Sequence, residues 1–294
     1  MTAEMTALPG TASRDAFGPL VDGDWALPPT ANGLLSFTPK FESVVAGLQA
    51  VLTGSDPFGS AGPIWYAPVV PRATIDRSEY ADGFPNLLGT VHALALDASA
   101  DTVVGEEDRG ATDLVLAPAV CYSVYPRIAD GVIEGPRHFD AAGYCYRHEA
   151  TSELGRFRSF RMREFVMVAD AATARDWRDA WIARGEALFA RLGVTVSVVP
   201  ASDPFFGPGA RLMRNSQKQQ DLKYEFVAAL PGQATGTAIA SANYHKDHLG
   251  LRFDISYRGQ EPAHTACTAF GIERIVLALI QVHGADLADW PTLA

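Results

Sequence analysis

From residue 41 onward the chain alternates between stretches with apolar residues every three or four positions and stretches where they alternate or run together. Phe41, Val44, Val45, Leu48 and Leu52 stand at helical spacing and Gly54 follows as a stop signal, so residues 41–52 read as a helix. Residues 64–70 read as a strand, and residues 113–125 carry the apolar run from Leu114 to Val120, closing on Cys121 and the alternating Tyr122 and Val124. Between residues 143 and 168, aromatic and charged residues alternate around an arginine-rich middle, which predicts two antiparallel strands joined by a loop at 151–156. A helix follows over 171–192, with Trp177, Trp181, Ile182, Leu188 and Phe189 on its apolar side, and then a β-branched strand over 194–199. A second helix is expected at about 210–221, strands at 224–230, 238–244 and 251–255, and a last helix at 271–283. Consecutive strands with helices set around them predict an α+β fold on a mainly antiparallel sheet. Residues 1–40, rich in Pro, Gly and Thr and without periodicity, read as a loosely ordered lead-in to a single domain spanning 41–294.

Composition narrows the class. The 294 residues are 48% hydrophobic and 20% charged, the balance of a folded chain with a sizeable core. No apolar run approaches the roughly 18 residues of a membrane span. Acidic residues, Pro and Gly interrupt residues 1–24 where a signal peptide would be continuously apolar, so a cytoplasmic protein is expected. The net charge of −10 argues against sequence-independent nucleic-acid binding, which relies on Lys and Arg. Cys121, Cys145 and Cys267 are too widely spaced for a disulfide framework and leave packing, a metal or a nucleophile open.

The chemistry concentrates in two segments. The first runs Tyr146-Arg147-His148-Glu149, then Arg156-Phe157-Arg158, then Arg161-Met162-Arg163-Glu164-Phe165; the second is Phe270-Gly271-Ile272-Glu273-Arg274. Clustered guanidiniums on a strand–loop–strand suit a polyphosphate, because each is a fixed-charge forked donor. The competing reading is a salt-bridged surface hairpin.

These residues resemble a known family. Arg147-His148-Glu149, the loop, and residues 161–165 resemble motif 2 of the class II aminoacyl-tRNA synthetases, closest to the seryl type, and Gly271-Ile272-Glu273-Arg274 resembles their motif 3. The resemblance implies the antiparallel class II catalytic core and an ATP, with Mg²⁺, bent over its sheet. It assigns Arg147 to the α-phosphate, Glu149 to adenine or the amino acid, and Arg274 to the γ-phosphate. Phe165 would stack on adenine, Arg156 and Phe157 would close over ATP, and Arg161 would join the nucleotide site.

Two departures refine the expectation. Cys267 and Ala269 replace the first two glycines of motif 3, and Cys121, Glu164 and Cys267 match the Zn²⁺-binding set of the archaeal-type seryl-tRNA synthetases. There the metal holds the substrate's amino group; cysteine spacing alone gives no such signal. In addition, residues 1–110 show neither the heptads nor the basic face of a tRNA-gripping arm. Residues 72–80 and 84–89 instead look like shortened homologues, the amino acid:[carrier protein] ligases, as do Asp203-Pro204-Phe205-Phe206-Gly207, Gln217 to Gln220, Lys223-Tyr224-Glu225 and residues 241–245.

That resemblance places Asp203 in the amino-acid pocket, Lys223 on ATP, and Ala238 to Ser241 on the nucleotide's floor. It also implies a carrier-contacting helix at about 205–221. Arg211, Arg214 and Lys218 form one basic stripe there, complementary to an acidic phosphopantetheinylated carrier protein. The expected activity is formation of an aminoacyl-adenylate and transfer to the carrier's thiol by a homodimer, with glycine the first candidate and alanine the second. The alternatives are a truncated tRNA-dependent synthetase and a non-catalytic regulator that binds ATP or an amino acid. Cys145 is read as core, and His245 and His248 as structural.

Overall fold

The structure, a computed structural model, describes residues 14–94, 105, 108–149, 153–231, 233 and 235–291. Helices α1 (Arg14–Asp22) and α2 (Pro39–Ser55) precede β1 (Ile64–Tyr66), β2 (Val69–Pro71), α3 (Arg72–Arg77), α4 (Tyr80–Gly83), β3 (Thr90–Leu94), β4 (Arg109–Leu116) and β5 (Gly131–Ile133). The long hairpin β6 (Arg137–Tyr146) and β7 (Ser159–Ala169) follows, then α5 (Ala171–Arg191), β8 (Ser197–Pro200), α6 (Ala210–Gln219), β9 (Lys223–Ala228) and β10 (Thr237–Lys246). The chain continues through α7 (His248–Arg252), β11 (Ile255–Tyr257), β12 (Glu261–Pro262), β13 (His264–Gly271) and α8 (Ile272–His283).

Seven strands form the main sheet in the order β1-β6-β7-β13-β10-β9-β8, antiparallel throughout except where β1 joins β6 in parallel. Helix α5 lies across β13, β10 and β7, and α8 across β10 and β7 against α2, so one face of the sheet is covered. Asp170 starts α5 by accepting the Thr173 N–H at 2.9 Å, an N-cap that satisfies one free donor. Trp181 stacks on Phe165 at 4.8 Å and meets Phe270 edge-on at 5.9 Å, all three fully buried. Burying such side chains contributes roughly 1.5–3 kcal/mol each. No helix among the described residues is long and apolar enough to cross a membrane.

Several expectations need correction. The lead-in is packed from its first described residues: Phe17, Leu20 and Trp25 belong to the main core; residues 1–13 lie outside the described residues. The strand expected at 64–70 is two strands, since residues 67 and 68 break it. Cys121 does not end a strand; β4 stops at Leu116 and Cys121 opens a short 3₁₀ turn. Residues 251–255 are not a strand either, because α7 takes the apolar Leu249 into the core and only Ile255 onward pairs. Finally, β13 went unanticipated although it lies fourth of seven in the sheet.

Two half-buried histidines give the fold an acid-side weakness. Burial holds His138 and His264 below their ordinary pKa, against the pull of neighbouring carboxylates. The unfolded chain therefore takes up protons first as pH falls through about 6.5, and folded-state stability is lost over that interval. In urea melts between about pH 7 and pH 5, His138→Phe should lose less stability on acidification than the unaltered protein.

Candidate active site

Strand geometry sorts the arginine block into two sets. Side chains alternate across a strand, so on β7 Phe160, Met162 and Glu164 share one face and Arg161, Arg163 and Phe165 the other. The first set lines cavities on the open side of the sheet. The second points into the helix-covered side. Arg161 is only 6% exposed and bonds Glu273 Oε1 at 2.6 Å and Glu42 Oε2 at 2.6 Å. Its side chain and that of Phe165, stacked under Trp181, therefore lie on the side of the sheet away from the cavity, where the expectation had them at the nucleotide. The aromatic that does face the cavity is Phe160, with the Arg147 guanidinium 5.4 Å from its ring. Parity counted from Glu164 would have found it.

The cavity, about 1180 Å³, lies above β7, β13, β10 and β9 and continues into a recess of about 110 Å³. Its floor is small: Cys267, Ala269 and Gly271 of β13, then Ala238 and Ser241 of β10. Arg147 and Arg274 converge on it. Arg147 Nε reaches the Pro118 carbonyl at 3.4 Å. Arg274 donates Nε–H to the Gly155 carbonyl at 2.7 Å and NH1 to the Ala238 carbonyl at 2.9 Å. Gly155 has φ +86°, and a Cβ there would meet Leu230 at 2.9 Å, so the carbonyl that holds Arg274 depends on glycine. Among the described residues neither arginine has a carboxylate within ion-pair distance. Burial, and then the charges of Arg147 and Arg156, push Arg274 down to about 10. A guanidinium destabilised by burial and by like charges around a cavity gains from an anion placed there.

Arg156 and Glu149 face each other at 3.9 Å across the mouth, both solvent-accessible, while Phe157 is buried at the recess. Asp203 and Lys223 are paired at 2.6 Å, and Lys223 also reaches Glu225 at 3.2 Å. Burial favours the neutral Asp203, but Lys223 and then Gln217 outweigh it and hold the carboxyl below its ordinary range. Helix α6 stands at the cavity mouth with Arg211 and Lys218 exposed, while Arg214 turns inward to bond the Phe205 carbonyl at 2.8 Å. Only the two ends of the expected basic stripe are therefore free.

Cys121, Glu164 and Cys267 line one end of the same cavity. The Cys121 N–H donates to Glu164 Oε2 at 2.6 Å, and Asn243 Nδ2 to Cys267 Sγ at 3.3 Å. Among the described residues, however, no group of three or more His, Cys, Asp or Glu side chains is arranged as a ready metal site. One oxygen of Glu164 is engaged by the Cys121 backbone in that corner. A hydrogen bond from Cys121, then His245, outweighs burial and pulls the Cys267 thiol well down. Burial and then the Cys267 charge push Glu164 up to about 8. Three acidic groups thus crowd one buried corner. His245, read from sequence as structural, stands 3.7 Å from Cys267 Sγ and anchors its other nitrogen on Thr265 at 3.0 Å. Cys145 is core, 1% exposed.

Known proteins share this architecture. Residues 105–283 match the tRNA synthetase class II core domain (G, H, P, S and T). An amino acid–[acyl-carrier-protein] ligase of Bradyrhizobium diazoefficiens is 39% identical over 272 residues, covering 89% of this chain and 83% of the relative. A type-2 serine–tRNA ligase of Methanothermobacter thermautotrophicus is 25% identical over 244 residues, 76% of this chain and 48% of its own length. The crystal structure of Methanopyrus kandleri seryl-tRNA synthetase with a tRNA superposes at a TM-score of 0.79 with 21% identity, over 100% of this chain and 61% of that one.

Proposed function

The chain belongs to the amino acid–[acyl-carrier-protein] ligases, built on the class II tRNA synthetase core, and we propose that it activates a small amino acid with ATP and passes it to a carrier protein. The observation that carries the reading is the convergence of Arg147 and Arg274, without carboxylate partners among the described residues, on a cavity floored by small side chains.

In this reading the triphosphate, with its Mg²⁺, lies along Arg147 and Arg274. Phe160 takes the aromatic role beside it, and Ala238 and Ser241 form the floor. The amino acid's carboxylate oxygen attacks the α-phosphorus; a P–O bond forms and pyrophosphate leaves. Positioning and charge neutralisation supply the rate, since the step asks little covalent chemistry of the protein. The carrier's phosphopantetheine thiol then loses its proton, attacks the adenylate carbonyl and displaces AMP. Glu149, at the mouth, and Asp203 are the carboxylates placed to meet adenine and the amino acid. Glycine comes first and alanine second, because the corner beyond Ala269 is closed by Cys121, Cys267 and Tyr122.

The acidic corner also fits a metal by its donor chemistry: two thiols and a carboxylate, buried together. Cys121, Glu164 and Cys267 would hold a Zn²⁺ whose open position binds the substrate's amino group. Arg211 and Lys218, the exposed ends of the stripe, would meet the acidic carrier in the cytoplasm. Edge strand β1, with Ile64 and Trp65 46% and 54% exposed beside Tyr144, fits a homodimer interface.

The test is amino-acid-dependent ATP–pyrophosphate exchange over all standard amino acids, with metal analysis of the same sample. Exchange with glycine and transfer of label to a phosphopantetheinylated acyl carrier protein are expected. Exchange with none would sink the ligase reading, and label on tRNA alone would replace it with a tRNA-dependent one. Cys267→Ser should lose its zinc; full metal content would remove the proposed site.

A further inference from the structure

Gln217 joins helix α6 to the carboxylate of the reactant pocket. The Gln217 carboxamide does two things at once: its oxygen accepts the Asp203 N–H at 2.7 Å, and its nitrogen donates to Asp203 Oδ2 at 2.7 Å. The other carboxylate oxygen, Oδ1, takes the Lys223 ammonium at 2.6 Å, and Lys223 belongs to β9 in the cavity floor. Asp203 is therefore clamped from both sides, by the sheet through Lys223 and by α6 through Gln217. Arg214 adds a third tie, to the Phe205 carbonyl two residues on. On the same helix Leu212, Met213, Arg211 and Lys218 are exposed, Leu212 to 75%. Leu212, Met213, Ser216 and Gln217 also face the cavity.

We propose that Gln217 is a positioning residue: it fixes the Asp203 carboxylate in the reactant pocket, so that a macromolecule seated on the exposed face of α6 and a small molecule in the pocket sense each other through it. The proposal rests on the ligase reading and deepens it. A fork of one acceptor and one donor fixes both the backbone and the carboxylate of Asp203; tilting α6 cannot leave that carboxylate in place. By linkage, a carrier that shifts α6 changes amino-acid affinity, and the amino acid changes carrier affinity by the same factor.

Two variants separate this from a structural role. Gln217→Glu keeps the acceptor but sets a carboxylate against Asp203; Gln217→Met keeps the length and removes both bonds. In pyrophosphate exchange, run with the amino acid that supports it, Gln217→Glu should raise the KM for that amino acid about tenfold while kcat changes less. Its defect should shrink as pH is lowered through the introduced carboxyl's own titration, above about 4.3 because Asp203 faces it, since the protonated carboxyl donates again, whereas the Gln217→Met defect should not vary with pH. A thiol-blocked phosphopantetheinylated acyl carrier protein, at saturation, should shift that KM severalfold in the unaltered enzyme and not in Gln217→Met.

An unchanged KM in both variants, a pH-independent Gln217→Glu defect, or no carrier-induced shift in the unaltered enzyme overturns the proposal. A fall in kcat at constant KM means a structural role and overturns it too. If the unaltered enzyme shows no exchange with any amino acid, the ligase reading itself fails. Normal exchange with an insensitive Gln217 removes this inference alone.

Discussion

Arg274→Ala is expected to lower amino-acid-dependent ATP–pyrophosphate exchange by about 100- to 1000-fold, the range lost when a preorganised donor to developing charge is removed. The guanidinium is fixed before any ligand arrives, by the carbonyls of Gly155 at 2.7 Å and Ala238 at 2.9 Å. Its remaining donors are left for an anion, and its neighbours Arg147 and Arg156 disfavour its charge, so an anionic ligand relieves a repulsion already built in. Arg274→Lys should recover little, because an ammonium cannot hold two diverging carbonyls and still reach a phosphate. Exchange kinetics with varied ATP would check this. A loss smaller than tenfold for the alanine variant would take Arg274 out of the phosphate site.

The largest effect on stability is expected at the other face of the sheet. Arg163 is fully buried and donates to both oxygens of Asp140, at 2.9 and 2.6 Å, as well as to Gln49 and Thr53 of α2. Removing it leaves Asp140, 3% exposed at its side chain, as an uncompensated buried charge. Arg163→Ala should therefore cost about 3–5 kcal/mol in urea unfolding, a large part of the ~5–15 kcal/mol that holds a typical domain. Arg163→Ala with Asp140→Ala should recover part of that, which a double-mutant cycle measures directly. Additive single effects would mean the pair is not coupled.

These two arginines, both read in the sequence as part of one phosphate-gripping cluster or close to it, show where the sequence was legible. The hairpin and helices α5 and α8 followed from periodicity, and the convergence of Arg147 and Arg274 on one cavity from the two motifs. The assignment of side chains to faces did not, because it treated the arginine block as a patch and not as a pleated strand. Glu164 and Phe165 cannot both face one ligand; period-2 alternation forbids it. Strand β13 was invisible for a different reason. Thr265, Ala266, Cys267, Thr268 and Ala269 are small residues buried on both sides, so neither polar alternation nor bulk marks them. Helix α1 and Trp25 were hidden by a Pro- and Gly-rich composition that reads as loop while its few apolar residues carry the packing. Gln217 and His245 stood in segments that resembled the family, but their contacts did not follow from spacing, since their partners Asp203 and Cys267 are 14 and 22 residues away.

The central position of β13 bears on how the chain comes off the ribosome. Its neighbours β7 and β10 are both made earlier, yet within the sheet of the described residues each pairs with β13 and not with the other. Until residues 264–271 emerge, the nascent chain holds two half-sheets, β1-β6-β7 and β10-β9-β8, each with a long unpaired edge that is apolar on one side. Closing them joins segments far apart in sequence, which makes the step slow and leaves those edges open to other chains. Synthesis stalled just short of β13 should yield aggregates rather than a partly active ligase, and a chaperone that caps strand edges should matter most until residues 264–271 have emerged.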